Sequence, residues 1–342
     1  GQMDGQGYTA EFRIPLKSIR FPNRETVIMG VIFFRQMVRH SETISVPALS
    51  PEKGGLLSQS QPISVTGLKY HRVVEILPAI THSDRLAAQE GRLRRDERRT
   101  DFSLTAKVGL TSDLTTDTTY NPDFSQVEAD AGQVDFNIRY ALYYPEKRPF
   151  FLEGIDYFKF AGNTEDAPLV AVAYTRTIIN PIAGFKLTGK FAGKNTIAAI
   201  YAKDDLPGDG IDSRPDFGIV RFRHAFTDDT FIGGFYTSRF AGTGYNQVAG
   251  SDGRLRLSQT SFAEYHLFGS FTREEGGPST ENGHALALRY VYDTRRVSLD
   301  LGYQDISPDF RVDSGFVTRT GLRNLAAFSM YRFYPKSSFI QK

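Results

Sequence analysis

Apolar and polar side chains alternate along most of this chain with the two-residue period of a β-strand. Between residues 102 and 110, Phe102, Leu104, Ala106, Val108 and Leu110 share one face, and Ser103, Thr105, Lys107 and Gly109 share the other. Val297, Leu299, Leu301 and Tyr303 alternate with Ser298, Asp300, Gly302 and Gln304, and Ala183, Phe185, Leu187 and Phe191 alternate with Lys186, Thr188 and Lys190. Runs of roughly ten such residues, separated by turn residues, are the pattern of a transmembrane β-barrel. A soluble sandwich also alternates, with its polar face outward, so periodicity alone does not separate the two architectures.

Loop lengths separate them better. Tight connections are predicted at 111–113, 192–195, 227–229, 258–261 and 293–296, and longer Gly-rich and Pro-rich connections at 204–215, 241–246, 272–283 and 305–323. Short and long connections in alternation match the periplasmic turns and external loops of an outer-membrane barrel. With the short turns on the periplasmic side, the strand near 70–80 runs outward, 102–110 inward, 114–120 outward and 183–191 inward. Residues 121–182 therefore form one excursion on the external side or folded into the lumen, with short strands of its own such as 169–174. A loop of this length is functional or disordered, and its Phe and Tyr content argues against disorder. The inward-facing Lys107 predicts a wet interior. About a dozen membrane strands before residue 334, with another beginning at 338–342, predict an unfinished barrel, since bacterial barrels close with an even strand number and an open edge is untenable in lipid. With no leader at Gly1, the expectation is a segment of a longer precursor.

Composition narrows the function classes. The 342 residues carry a net charge of +2, which gives no electrostatic case for nucleic acid. There is no cysteine, so disulfides and thiolate metal sites are excluded. No run approaches the roughly 20 apolar residues of a spanning helix, whereas 27 Phe, 17 Tyr and 31 Gly suit a barrel. The fold class is thus all-β: an antiparallel transmembrane barrel over 69–342, preceded at 1–68 by part of a β-sandwich.

The interruption at 121–154, NPDFSQVEADAGQVDFNIRYALYYPEKRPFFLEG, concentrates the candidate chemistry. Asp123, Glu128, Asp130 and Asp135 are acidic, with Glu146 and Glu153 further along. Arg139, Lys147 and Arg148 are basic and flank Phe150 and Phe151, with Phe124 upstream. Ion pairs to a barrel wall would pin such a segment while its aromatics fill the bore. A plug or constriction is therefore favoured over a ligand-contact surface. Catalysis is disfavoured: Glu128 with Asp130, or Glu153 with Asp156, could be a glycosidase pair, but neighbouring acids are commonly salt-bridged or solvated. The acids do not follow a calcium-loop spacing, and His40, His71, His82, His224, His266 and His284 show no metal-ligand spacing. No nucleophile elbow, Walker loop or dinucleotide fingerprint occurs. The expectation is no enzyme, no cofactor and no metal. The basic run 91–99, with Arg92, Arg94, Arg95, Arg98 and Arg99, falls in the first external loop, where arginines could grip lipopolysaccharide phosphates or pair internally with Asp96 and Glu97.

NPDFSQVEAD (121–130) and YPEKRPFFLEG (144–154), followed by YTRTI and PIAGFKLTGK, closely resemble the DUF5916 family of bacterial envelope proteins, over a stretch from about residue 70 to the end that includes SPDFRVDSGFVTRTG (307–321). The resemblance implies an outer-membrane barrel in contact with outer-membrane lipid and lipopolysaccharide. It also implies an N-terminal domain similar to family 9 carbohydrate-binding modules. Residues 7–68, with GYTAEFRIPLKSIRF and VIMGVIFFRQMVR, look like the C-terminal half of one; the absence of Trp departs from the aromatic platforms of sugar binding. Strand parity puts that domain in the periplasm. Two function classes follow: a channel or export and uptake component gated by residues 121–182, or a glycan-binding or glycan-processing envelope protein anchored by the barrel, either with other envelope proteins as partners.

Overall fold

A computed structural model of the protein describes residues 1–5, 7–16, 19, 21–50, 56–89, 92–124, 141–162, 167–205 and 214–334, with the backbone alone at 85, 86, 88, 89 and 92–97. The N-terminal part forms two-stranded ribbons: β1 (Gln2–Met3) with β2 (Tyr8–Thr9), β3 (Thr26–Val31) with β6 (Gln61–Thr66), and β4 (Phe33–Met37) with β5 (Glu42–Val46). Of its described hydrophobic residues, Phe21 and Val27 are buried.

Among the described residues, twelve strands then form one antiparallel sheet. They are β7 (Val74–Gln89), β8 (Arg92–Gly109), β9 (Leu114–Tyr120), β11 (Pro181–Phe191), β12 (Asn195–Asp204), β13 (Asp216–Ala225), β14 (Phe231–Ala241), β15 (Gly244–Arg256), β16 (Ser261–Arg273), β17 (Glu281–Asp293), β18 (Val297–Ile306) and β20 (Leu322–Tyr331). Each pairs with the next in that order, so β7 and β20 are the edges. The remaining short strands, β10 (Leu169–Ala171) and β19 (Phe316–Val317), pair with each other away from this sheet.

The connections largely follow the predicted rhythm. The short ones (110–113, 192–194, 226–230, 257–260 and 294–296) gather at one end, and 121–180, 205–215, 274–280 and 307–321 at the other. The linker to β7 docks at the short-turn end, where Tyr70 Oη donates to Thr111 O at 2.8 Å and Arg72 Nη2 to Leu110 O at 3.1 Å. Two expectations are corrected. The connection expected at 241–246 is a two-residue hairpin, because Ala241 pairs with Gly244 and Gly242 takes φ 55°, the left-handed geometry such a tight turn needs. The basic run 91–99 is not a loop: from Arg92 onward it is strand β8. Since β8 meets β9 only between Leu104 and Gly109, residues 92–103 pair with β7 alone and extend a hairpin beyond the sheet by about 40 Å.

The sheet is inside out by the standard of a soluble protein. Lys186 is 1% exposed while its neighbour Phe185 is 41% exposed; Arg221 is 1% exposed between Val220 at 43% and Phe222 at 41%. At these positions charged side chains face in and aromatics face out, the reverse of a soluble sandwich. Exposed aromatics also mark two levels of the outer face. Phe222 pairs with Gly234, and exposed Phe240 lies six residues along β14, about 20 Å away. Phe191 pairs with Asn195, and exposed Tyr201 lies six residues along β12, again about 20 Å away. Exposed Val220 and Tyr236 lie between the levels, so the outer face carries an apolar band close to the ~25 Å height seen on transmembrane barrels.

Candidate functional site

The described residues of the excursion fold back against the inner face. Its sequence dictates short, irregular elements: Pro145 and Pro149 bar a longer helix, and Pro149 sits at the first position of the one-turn helix α1 (Pro149–Leu152), where its missing N–H is no loss. Gly154, at φ 76°, then turns the chain into the 3-10 turn Ile155–Phe158. Phe150 and Phe151, both buried, meet edge to face at 4.9 Å. Phe150 lies over Gly184 of β11, where a Cβ would fall 2.9 Å from the ring, so this glycine lets the segment lie directly on the sheet.

Glu146 and Arg148 form the internal clasp of this segment. The Arg148 guanidinium donates to Glu146 Oε1 from Nε at 2.9 Å and to Oε2 from Nη2 at 2.8 Å. It also donates from Nη1 to Ile178 O at 2.6 Å and from Nη2 to Thr175 O at 2.7 Å. Glu146 also accepts from the backbone N–H groups of Lys147 and Arg148 and from Thr175 Oγ1. The guanidinium lies over the Phe151 ring at 4.4 Å and the Phe124 ring at 5.1 Å. Burial pushes the Glu146 carboxyl up, but the Arg148 and Thr175 hydrogen bonds overcome it and hold it below the usual carboxylate range. A depressed carboxyl contributes stability above its unfolded value, which is lost as pH falls through the folded value. The difference in thermal midpoint between the native chain and Glu146→Gln should therefore close as pH drops below the carboxylate range; a constant gap would show that Glu146 carries no charge in the fold.

Four polar groups of the sheet hold the segment. Lys107 of β8 donates to both carboxylate oxygens of Glu153, at 2.6 and 2.7 Å. Lys186 of β11 donates to the carbonyls of Phe150 at 2.6 Å and Glu153 at 3.0 Å, satisfying C-terminal oxygens that α1 leaves unpaired. Asp252 of β15, in a bidentate pair with Arg221 of β13, accepts Ala161 N–H at 2.8 Å. His266 of β16 engages Ala161 O at 3.0 Å, and because a carbonyl only accepts, its Nδ1 carries the proton. These contacts span seven inter-strand steps from β8 to β16, about 34 Å on a flat sheet. Glu153 and Ala161 are only eight residues apart, with Ile155–Phe158 coiled between them, and the segment packs in one core with inward side chains of β12, β13, β14 and β16, so the sheet curls around it.

Residues 168–174 of the excursion are stitched to the loop after β18. Besides the β10–β19 pairing, Tyr174 N–H donates to Ser314 O at 2.7 Å and Thr318 N–H to Pro168 O at 2.8 Å. Tyr143, Tyr174 and Phe316 form a ring trio with centroids 5.1 to 5.3 Å apart. Asn246 of β15 holds that loop to the sheet, donating to Arg311 O at 3.0 Å and accepting from Asp313 N–H at 2.8 Å. Phe150, Phe151, Phe158, Leu169, Val172 and Ile178 pack with inward-facing Ile200, Phe217, Ile219, Phe235 and Phe268 into one core. Inward strand positions mix polar with large apolar residues: from β12 to β16 excursion and strands bury them together, while Lys107 lines a cavity and keeps 23% of its side chain exposed.

Of the candidate residues, Phe124, Glu146, Arg148, Phe150, Phe151 and Glu153 come together in this arrangement, and Asp123 accepts from Thr81 Oγ1 of β7. Lys147 lines the adjoining cavity. Glu128, Asp130, Asp135 and Arg139 lie outside the described residues. Glu153 and Asp156 each pair with a lysine, Asp156 with Lys159 at 2.7 Å, rather than facing one another. Arg98 and Arg99 pair within the hairpin, with Asp84 at 3.3 Å and Asp101 at 2.6 Å, while the side chains of Arg92, Arg94 and Arg95 lie outside the described set. Among the described residues no cluster of three or more His, Asp or Glu could hold a metal. The sequence reading missed Asp252, Arg221, His266 and Asn246 as anchors; their one signal was polarity on the inward phase of otherwise apolar strands.

Residues 85–163 match the family model described as "Domain of unknown function (DUF5916)", a narrower stretch than the resemblance from residue 70 onward. No curated protein matches the chain. Among solved structures the chain is similar to OmpT (in-vitro folded), an outer membrane protein of Vibrio cholerae in its trimer form, at 11% identity and a TM-score of 0.31, over 75% of this chain and 97% of that one. The loop L8 deletion mutant of OmpT (11%, 0.30, 76% and 99%) and outer-membrane expressed OmpT of Vibrio cholerae (11%, 0.30, 77% and 99%) are similar to the same degree.

Proposed function

We propose that this protein is a bacterial outer-membrane β-barrel acting as a channel or transport component, with residues 121–182 as the plug that controls its bore. The observation that carries the reading is the pairing of an inverted sheet with a filled interior. Lysine, arginine and aspartate side chains point inward and grip the excursion, while phenylalanine, tyrosine and leucine form the outer band. Water would not favour that outer face, and lipid would. The docking of the linker on the short-turn end supports a periplasmic N-terminal region.

Reconstituted in planar bilayers, the full chain should conduct weakly, and a variant in which 141–162 is replaced by a short flexible linker should conduct at a clearly higher level. Equal conductance would sink the plug. The glycan-binding reading rests on the resemblance of residues 7–68 alone.

A further inference from the structure

Two cavities lie end to end along the inner face of β7 and β8. The upper one, of 700 Å³, is lined by Leu77, Ala79, Ser103 and Thr105 of the strands and by Asp123 and Lys147 of the excursion. The lower one, of 500 Å³, is lined by Glu75, Lys107 and Gly109 of the same strands, with Lys69 and Arg72 of the linker. The strand register fixes their stacking. Ala79 pairs with Ser103, Leu77 with Thr105 and Glu75 with Lys107, so the last inward pair of the upper cavity and the first of the lower one are successive, about 7 Å apart.

What stands at the boundary is the bond between Lys107 and Glu153. Glu153 lines the lower cavity, while Phe150 and Leu152, on the turn of α1 just before it, line the upper. Both ends of the bond reach solvent, with the Lys107 side chain 23% exposed and that of Glu153 41%. The other anchors are deeper: Lys186 is 1% exposed, and the Arg221–Asp252 pair is 2% and 0% exposed. A bond between solvated groups at the excursion's edge breaks more easily than a buried one.

We propose that the solute path follows the β7–β8 wall, with the Lys107–Glu153 ion pair as its gate, and that the solutes are small hydrophilic anions. This rests on the channel reading above. Opening the pair joins the two cavities without moving the deeper anchors. Lys69, Arg72 and Lys107 outnumber Glu75 and Glu153 along the lower cavity; in the upper one Glu146 is neutralised by Arg148, which leaves Asp123 against Lys147 and the path with an excess of positive charge, and charged side chains lining a pore select ions of opposite sign.

The test is single-channel recording of the full chain under a potassium chloride gradient. Glu153→Gln and Lys107→Gln should each raise conductance severalfold, with reversal potentials moving in opposite directions, toward chloride for Glu153→Gln and toward potassium for Lys107→Gln. The exchange Lys107→Glu with Glu153→Lys should restore the low native conductance, which a loss of folding would not do. If both single variants conduct at the native level while the variant lacking 141–162 conducts freely, the path lies elsewhere and the gate is overturned. If even that variant carries no current, the channel reading falls and the gate with it.

Discussion

Asp252→Ala should destabilise the protein by about 3–5 kcal/mol, the loss expected when one partner of a buried ion pair is removed and the other charge is stranded. The Arg221 side chain is 2% exposed and gives two hydrogens to this carboxylate, so it has no water to turn to. The alanine also frees Ala161 N–H, an anchor of the excursion. Gly233 shows how closely the pair is fitted: a Cβ there would lie 2.4 Å from Arg221 Nη1 and 2.7 Å from Asp252 Oδ1. Denaturant unfolding in a lipid or detergent host measures the effect. Arg221→Met combined with Asp252→Leu removes both charges at similar volume and should recover most of the loss. A change below about 1 kcal/mol for Asp252→Ala, the value typical of exposed pairs, would mean that water reaches the pair.

That pair also marks the limit of what the chain discloses by itself. The strands, the short turns, the strand directions and the excursion were legible, because each depends on neighbours a few residues away: the period of two, the Gly, Asn and Asp punctuation, and the parity of connections. Phe150, Phe151, Glu146 and Arg148 could be nominated because they cluster within a few positions. Arg221 and Asp252 stand 31 residues apart, and Ala161 and His266 stand 105 apart. Their meeting follows only from the register of β13 through β16 and from the curl of the sheet. The contact at Ala161 is made through its backbone, which leaves no trace in residue type.

The two misplaced connections have local reasons. Residues 241–246, AGTGYN, are rich in turn formers, yet β14 and β15 continue their ladder until a single left-handed glycine suffices. The basic run at 91–99 looks like a solvated loop by charge alone. In the hairpin the residues of β8 from Arg92 onward pair with β7, apart from Asp96 at a register shift, and the ladder bonds decide the conformation whatever the side chains carry. An inward polar side chain does not by itself mean water: Lys107 lines a cavity, whereas Lys186 is 1% exposed. An inward lysine needs partners, but the carbonyls of Phe150 and Glu153 serve as well as water.

Arg148→Ala should have the largest effect confined to the excursion. The variant leaves Glu146 buried without its bidentate partner and leaves the carbonyls of Thr175 and Ile178 without their donor. Each strand of the sheet is held by ladders that Arg148 does not touch, so the loss falls on local opening rather than on the barrel. If about 3 kcal/mol of the pair's stabilisation is removed, the open population of the segment rises on the order of 100-fold, since each 1.4 kcal/mol is tenfold. Hydrogen exchange at the amides of Arg148, Phe151 and Leu152 should accelerate by that factor while the amides of β12 to β16 stay protected. Glu146→Gln with Arg148→Met, which removes both charges and keeps the volume, should slow that exchange again. Acceleration spread equally through β12 to β16 would contradict this division, because the excursion would then be part of the cooperative unit that folds the sheet.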